Sequence, residues 1–432
     1  MDSYKIIRAR RLIDGTGKEP VKYPVVVVKN NLIMECGTEG EVDIPKSEEV
    51  KEFNFENGTI LPGLMDFHIH LTLGTYGGYD KVMQETDGIH LITGVVNARE
   101  ALHAGITTMR DAGGRNRVPL DLREAWKRGL IEAPRLLVSG RPLTITGGHF
   151  YFCNDNEADG IDNVRRRVRQ FIKEGVDVIK IMASGGGSNL QGSAANVEFA
   201  GAAGGPAASM ASFNEDELRA AVEEAHKFHL ITTAHCEAVK SVRNAARAGI
   251  DVLEHCGFIL PNGKRGFDEE AVRTMVRKEL HYCPTYQTGS ETLDALREKE
   301  KRGETLSREE RFSLESLEYK FRKKGENLAR MVHMGVKIVA GSDATGIGNS
   351  TRLIRTMELM VEEAGLSPMQ VIVSATSEGA KTMKMDHLFG TIRRGLEADI
   401  IAVKGDPSKN IRSLRSLKMV MQGGNIVILD SN

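Results

Sequence analysis

Four stretches of this 432-residue chain share one grammar, and it restricts the fold more than any other feature. They are Gly105-Ile-Thr-Thr-Met-Arg-Asp, Gly175-Val-Asp-Val-Ile-Lys, Gly249-Ile-Asp-Val-Leu-Glu-His and Gly335-Val-Lys-Ile-Val-Ala-Gly-Ser-Asp. In each, a glycine follows a helix-like segment, as the left-handed residue that ends many helices does. A short β-branched run comes next, suited to a strand, and a polar residue ends it. Adding Leu64–His70, Arg135–Ser139, Leu230–His235 and Leu280–Cys283 gives eight such runs. Helical segments lie between several of them. The clearest is Asn214 to Phe228, with Asn214 and Glu217 at capping-box positions and Leu218, Ala221, Val222 and Ala225 along one face. Eight strands alternating with helices predict an α/β chain folded as a (β/α)8 TIM barrel. An open doubly wound sheet is the alternative, but no Gly-x-Gly-x-x-Gly follows a strand to support it.

The two ends read differently. Lys5-Ile-Ile-Arg-Ala-Arg and Val25-Val-Val-Val-Lys are strand-like, with Asp14-Gly15 and Lys29-Asn30-Asn31 as turns after them. Asp399-Ile-Ile-Ala-Val, Met419-Val-Met-Gln and Ile426-Val-Ile-Leu near the other end match that character. A small β-sandwich domain built from residues 1–59 and 390–432 is expected, around a barrel at 60–389. Two separate capping hairpins are the plainer possibility. Two stretches break the barrel rhythm. Ser184–Ser212 is rich in Gly, Ala and Ser and follows the fourth strand, where a loop of that length is a lid candidate. Glu291–Lys324 is densely charged and reads as a solvated helical excursion.

Composition excludes several classes of function. A net charge of −1 favours neither nucleic acid nor a membrane surface as partner. Five scattered cysteines, with no Cys-x-x-Cys, argue against a disulfide framework and for a reducing, cytoplasmic setting. The longest apolar run near the start, Val25–Val28, is too short to target or span.

The active face of a (β/α)8 barrel lies at the C-terminal ends of its strands. His68 and His70 stand there on the first strand, Lys180 on the fourth, His235 on the fifth, His255 on the sixth and Asp343 on the eighth. Period-two alternation turns His68 and His70 to one side, with Phe67 and Ile69 to the other. Singly, each residue has a plain structural explanation. Together, four imidazoles, an ammonium and a carboxylate in one barrel mouth are costly to bury unless something compensates. A pair of divalent metal ions does so, since imidazole and carboxylate are their usual ligands.

That ordering resembles the metal-dependent amidohydrolase superfamily. The motifs are Leu61-Pro-Gly-Leu-Met-Asp-Phe-His-Ile-His, Thr107-Thr-Met-Arg-Asp, Val178-Ile-Lys-Ile-Met-Ala-Ser-Gly-Gly, Leu253-Glu-His and Ala340-Gly-Ser-Asp, and they span most of the chain. The resemblance implies a binuclear site. His68, His70 and Asp343 would hold the more buried ion, and His235 and His255 the more exposed one. Lys180, carrying a CO2-derived carbamate, would bridge them. A hydroxide between the ions would attack, with Asp343 as general base and then acid. Zinc is the expected metal, with manganese, iron or cobalt as alternatives.

Thr146-Gly-Gly-His149, followed by Glu157-Ala-Asp-Gly, is similar to the imidazolonepropionase-related branch that includes prolidase-like dipeptidases. There His149 would polarise the scissile carbonyl. The chain departs from that branch after the fifth strand, where Cys236-Glu237 replace small residues. Alternation turns Cys236 and Cys256 away from the mouth, while Glu237 faces it and could meet a cationic substrate. Tyr151, Tyr286 and Arg141 are candidate contacts for a substrate carboxylate. The expected function is cleavage of the C–N bond of a small amide, a dipeptide or N-acyl amino acid, by a chain that forms a homo-oligomer. Deamination, imidazolone-type ring opening and hydrolysis of a urea or carbamate are the alternatives on the same site. A metal-stabilised scaffold without activity is disfavoured, because a structural site needs no open position.

Overall fold

A computed structural model describes residues 3–44, 50–74, 78–189, 206–346 and 352–430. The strands are β1 (Tyr4–Leu12), β2 (Val21–Lys22), β3 (Pro24–Lys29), β4 (Leu32–Thr38), β5 (Val50–Pro62), β6 (Leu64–Ile69), β7 (Ile106–Asp111) and β8 (Arg135–Val138). They continue with β9 (Val178–Met182), β10 (Ile231–His235), β11 (Val252–Glu254), β12 (His281–Cys283), β13 (Lys337–Ile338), β14 (Ile400–Lys404), β15 (Leu417–Gln422) and β16 (Asn425–Leu429). The helices are α1 (Gly78–Gln84), α2 (Asp87–His103), α3 (Val118–Lys127), α4 (Ile161–Glu174), α5 (Glu215–Lys227) and α6 (Val239–Ala248). After them come α7 (Glu269–Arg277), α8 (Ser290–Lys301), α9 (Arg308–His333), α10 (Arg352–Glu362), α11 (Pro368–Ser374) and α12 (Ser377–Thr382).

The eight runs singled out by their grammar correspond to β6 through β13. They form two parallel sheets, ordered β6-β7-β8 and β13-β12-β11-β10-β9. Backbone hydrogen bonds join the two sheets on both sides. Leu143 N donates to Lys180 O, and Met182 N donates to Leu143 O, each at 2.8 Å. On the other side Phe67 N donates to Ala340 O at 2.9 Å and His70 N to Ala344 O at 3.1 Å. The chain is therefore a mixed α/β fold with parallel sheets, its helices following the strands.

Strand parity decides which residues face inward. Val178, Ile231 and Val252 share one buried cluster with Met65, Phe67, Cys283 and Val339. Two residues further along the same faces stand Lys180, Thr233 and Glu254, and two beyond Thr233 stands His235. The opposite faces, among them Ile179, Ile181, Ala234 and Leu253, pack with the helices in the largest core cluster. β6 breaks strict alternation. Its pairing with β7 shifts register between Asp66 and Ile69, so Phe67 packs in the inner cluster and Ile69 in the helix-facing one. Phe67 and Ile69 thus do not share a surface, as uninterrupted period two had implied, because the irregularity falls within Asp66–Ile69, the stretch that carries His68.

A third sheet draws on both ends of the chain, in the order β16-β15-β14-β5-β1-β3-β4 with β2 on β1. β5 runs past residue 59 to Pro62 and leads into β6 through Gly63 alone. Gly63 N donates to Asp399 O at 2.9 Å, and a Cβ at Gly63 would overlap the side chain of Thr107. Gly63→Ala is therefore expected to lower the unfolding free energy by about 1–3 kcal/mol, as overpacking does. Urea denaturation checks it, and an unchanged midpoint would show that Thr107 yields freely.

The charged stretch is helical, as α8 and much of α9, but not all of it is solvated: Lys320 and Lys324 are buried. The expected lid, Ser184–Ser212, lies outside the described residues from 190 to 205. No helix among the described residues is long and apolar enough to cross a membrane. All five cysteines are free, and Cys236 and Cys256 are buried in the helix-facing core.

Candidate metal centre

The first histidines are positioned by two buried aspartates. Asp66 accepts hydrogen bonds from His68 N at 3.1 Å and Ser342 N at 2.9 Å, tying β6 to the loop after β13. Asp111 accepts from Leu71 N and Gly113 N, both at 2.9 Å, and fixes the chain leaving β6. Burial pushes both carboxyls up to about 6, against the pull of these donors.

Five imidazoles then form a continuous arc. Ring centroids lie 5.3 Å apart for His70 and His68, 5.0 Å for His68 and His255, 4.5 Å for His255 and His235, and 4.7 Å for His235 and His149. Four have a ring nitrogen tied to a partner outside the arc, among them His149 Nδ1 to Ser188 Oγ at 2.6 Å and His235 Nε2 to Gly185 O at 3.2 Å. His70 Nδ1 is 2.7 Å from the Gly113 carbonyl, and His255 Nδ1 is 2.6 Å from Thr285 Oγ1. A carbonyl accepts only, so His70 carries its proton on Nδ1 and presents a bare Nε2, the tautomer a metal-ligating histidine needs. His68 stands between two carboxylates, with Nδ1 3.0 Å from Glu254 Oε1 and Nε2 3.2 Å from Asp343 Oδ1. His70 Nε2 is 3.7 Å from the same Asp343 oxygen.

Burial is the main reason these rings stay neutral. It holds His70 and His235 down to about 4, helped in both by the Lys180 ammonium. His68, His149 and His255 are pushed well below the usual imidazole range, again mainly by burial. Neutral imidazole is the ligating form. Burial raises the Asp343 carboxyl, but His255, His70 and Lys180 outweigh that and hold it below its ordinary value. Its side chain keeps 22% of its exposure, against 1% and 4% for His68 and His70, so Asp343 is the member of this group that meets the opening. Asp343 and His255 have left-handed backbones, with φ of 56° and 66°. Strain of this kind is found where a site demands it, and Asp and His tolerate it better than most residues.

Lys180 lies beneath the arc, with its ammonium on Glu254 Oε2. Burial, then the nearby Arg110 guanidinium, pushes it down to about 7. Glu254 is the residue sequence reasoning passed over. Fully buried, it also accepts from Arg110 Nη2 at 2.8 Å and Thr233 Oγ1 at 2.6 Å. The missed signal was parity: Glu254 stands two residues beyond inward-facing Val252 and pairs in register with His235.

These donors suit divalent cations. Ligand atoms of His68, His70 and Asp343 lie within 4.8 Å of one another, as do those of His68, Glu254 and His255. Among the described residues, His68 Nδ1, Lys180 Nζ and Glu254 Oε2 are buried without a well-formed hydrogen bond. Such a set is what a buried cation, or a chemical change at Lys180, relieves.

The remaining candidates are placed as follows. His149 Nδ1 is 2.6 Å from Ser188 Oγ, and a Cβ on Gly186 would come within 2.6 Å of its Nε2, so only glycine allows the ring this position. Glu237 lies 3.5 Å from the Arg265 guanidinium, and its Oε2 is buried without a hydrogen-bond partner. Tyr286 is fully buried and donates its hydroxyl to Phe321 O at 2.7 Å, which commits it to α9. The Tyr151 hydroxyl faces Met83 Sδ at 3.6 Å. Arg141 pairs with Glu174 and Asp155 behind the site.

Residues 59–427 match the Amidohydrolase family. Ochratoxinase of Aspergillus niger is 29% identical, over 96% of this chain and 84% of that protein. Among solved structures, a Xaa-Pro dipeptidase with methionine bound in its active site aligns with a TM-score of 0.80 and 26% identity, covering 98% of this chain and 99% of that one. A prolidase complexed with N-methylphosphonate-L-proline aligns with a TM-score of 0.80 and 25% identity, covering 99% and 100%.

Proposed function

The chain belongs to the amidohydrolase family and is a hydrolase of C–N bonds, and from that premise we propose that it cleaves the amide of a dipeptide or N-acyl amino acid. In this reading β6 through β13 close into a (β/α)8 barrel of residues 60–389. The two chain ends form a β-sandwich domain beside it. His68, His70 and Asp343 would hold one divalent cation and His235 and His255 a second, with Lys180, as a carbamate, an anionic ligand available to both. What supports this most is the arc of neutral imidazoles, anchored from outside at His70 and His255, with Asp343 at its open side.

Such a cation pair, when bound, polarises the scissile carbonyl and acidifies water. The chain's own groups supply the rest. Lys180, pushed down to about 7 by burial, reaches the neutral amine that adds to CO2 with loss of a proton. Glu254 then keeps Arg110 and Thr233 as partners, so its charge is not stranded when the ammonium disappears. His149 Nδ1 lies 2.6 Å from Ser188 Oγ; with the hydroxyl as donor the ring proton sits on Nε2, from which a neutral imidazole donates to the carbonyl oxygen as negative charge develops. Asp343, ionised and facing the opening, takes a proton from the attacking water and passes it to the leaving nitrogen.

The test is a substrate panel on metal-loaded protein: dipeptides, N-acyl amino acids, phenylureas, carbamates and cyclic imidazolones. Release of amino acid from the first two classes is expected. Turnover confined to ureas, carbamates or heterocycles would overturn the assignment.

A further inference from the structure

Beside the arc is a buried excess of positive charge that the mechanism does not use. Lys320 and Lys324 are four residues apart on α9, hence on one face of the helix, and only 5% and 7% exposed. Lys320 Nζ donates to Thr288 O at 2.8 Å, and Lys324 Nζ donates to Thr285 O at 2.9 Å. The same two threonines touch the site: Thr285 Oγ1 is 2.6 Å from His255 Nδ1, and Thr288 Oγ1 is 3.3 Å from Asp343 Oδ2. Each lysine is thus one residue removed from a candidate metal ligand. Arg265 adds a third buried cation, donating to Gly257 O at 2.9 Å.

Two carboxylates, Glu237 and Asp343, act on these three cations; Glu237 lies against Arg265, and Asp343 reaches Lys320 only through Thr288. Among the described residues neither lysine is within ion-pair distance of any carboxylate. An ammonium has three donors, and each lysine gives one to a carbonyl. Burial, then Arg265, pushes Lys320 down to about 8, and burial, then Lys320, pushes Lys324 down to about 7. Holding two loop carbonyls does not need charge, since a neutral amide donor does it without placing ammonium groups in the interior. Two close, desolvated ammonium groups with spare donors are matched by an anion with two oxygens.

We propose that Lys320 and Lys324 form the subsite for the carboxylate of the amino acid released by hydrolysis. This rests on the amide-hydrolase reading above and adds the substrate's charge and orientation to it. Asp343 passes its proton to the leaving nitrogen, and in an amino acid the carboxylate carbon is two bonds from that nitrogen. Thr288 spans the corresponding gap, with its hydroxyl at Asp343 and its carbonyl at Lys320. The lysines also offset the repulsion between Asp343 and an anionic substrate. The subsite selects N-acyl amino acids and dipeptides over uncharged ureas and heterocycles.

The experiment compares N-acetyl amino acids with their C-terminal carboxamides, on metal-loaded wild-type protein and on Lys320→Gln and Lys324→Gln. Glutamine keeps a donor for the loop carbonyl and removes the charge. Wild type should prefer the free acid, and each variant should raise KM for the acid by about 10-fold or more, the worth of a charged hydrogen bond, with kcat and the carboxamide kinetics little changed. Equal kcat/KM for acid and carboxamide in the wild type would overturn the subsite and leave the amide-hydrolase reading intact, whether or not the variants fold. Parallel losses on both substrates would overturn it too, by showing a purely structural role. Failure of the wild type to cleave either compound would remove both the subsite and the reading on which it rests.

Discussion

Asp343→Asn is expected to lower kcat by about 10²–10⁴-fold, the usual contribution of a positioned general acid–base group, while leaving KM and folding nearly unchanged. The substitution is close to isosteric. Asparagine tolerates the left-handed backbone (φ 56°) that Asp343 adopts. Its amide oxygen can stay beside His68 Nε2, where Asp343 Oδ1 stands at 3.2 Å. What disappears is a carboxylate able to take a proton and return it. Because His255, His70 and Lys180 hold Asp343 below the ordinary carboxylate range, it is ionised at neutral pH, as a base must be. Steady-state kinetics with parallel metal analysis separates loss of proton transfer from loss of cation. Turnover near wild type would mean that another group carries the proton.

Glu254→Ala is expected to lower the unfolding free energy of metal-stripped protein by about 3–5 kcal/mol, the cost of breaking a buried ion pair from one side. Glu254 balances the Lys180 ammonium and the Arg110 guanidinium, and both are buried. Without it two cations face each other in the interior, and Thr233 Oγ1 loses its acceptor. Such a loss is a large share of the stability of an ordinary domain. Adding Lys180→Met should return part of it, since one stranded charge is then gone. Guanidinium denaturation of both variants measures this. A loss under about 1 kcal/mol, the size expected of a surface pair, would show that Glu254 does not balance Lys180 and Arg110 in the interior.

The strands that carry the site were legible because a strand's identity is local: β-branched composition, a glycine before it and a polar residue at its end. His68, His70, Lys180, His235, His255 and Asp343 followed from asking what stands at those ends. The structure brings the imidazoles and Asp343 together, with Lys180 beneath them. What escaped is set by partners distant in sequence. Glu254 looks like one more residue of an apolar run until register places it over Lys180. Lys320 and Lys324 belong to a helix whose charge pattern suggests solvent on every side, and only its packing against the loop after β12 buries them. The shift in β6 between Asp66 and Ile69 was likewise invisible, because alternation alone cannot show where a strand resets its parity.

The most direct measurement is anomalous diffraction at the zinc edge from crystals of zinc-loaded protein. Two peaks are expected, one bonded to His68, His70 and Asp343 and the other to His235 and His255, with density for a carboxylated Lys180 between them. A single peak, or a mouth that holds none although zinc is abundant, would contradict the account.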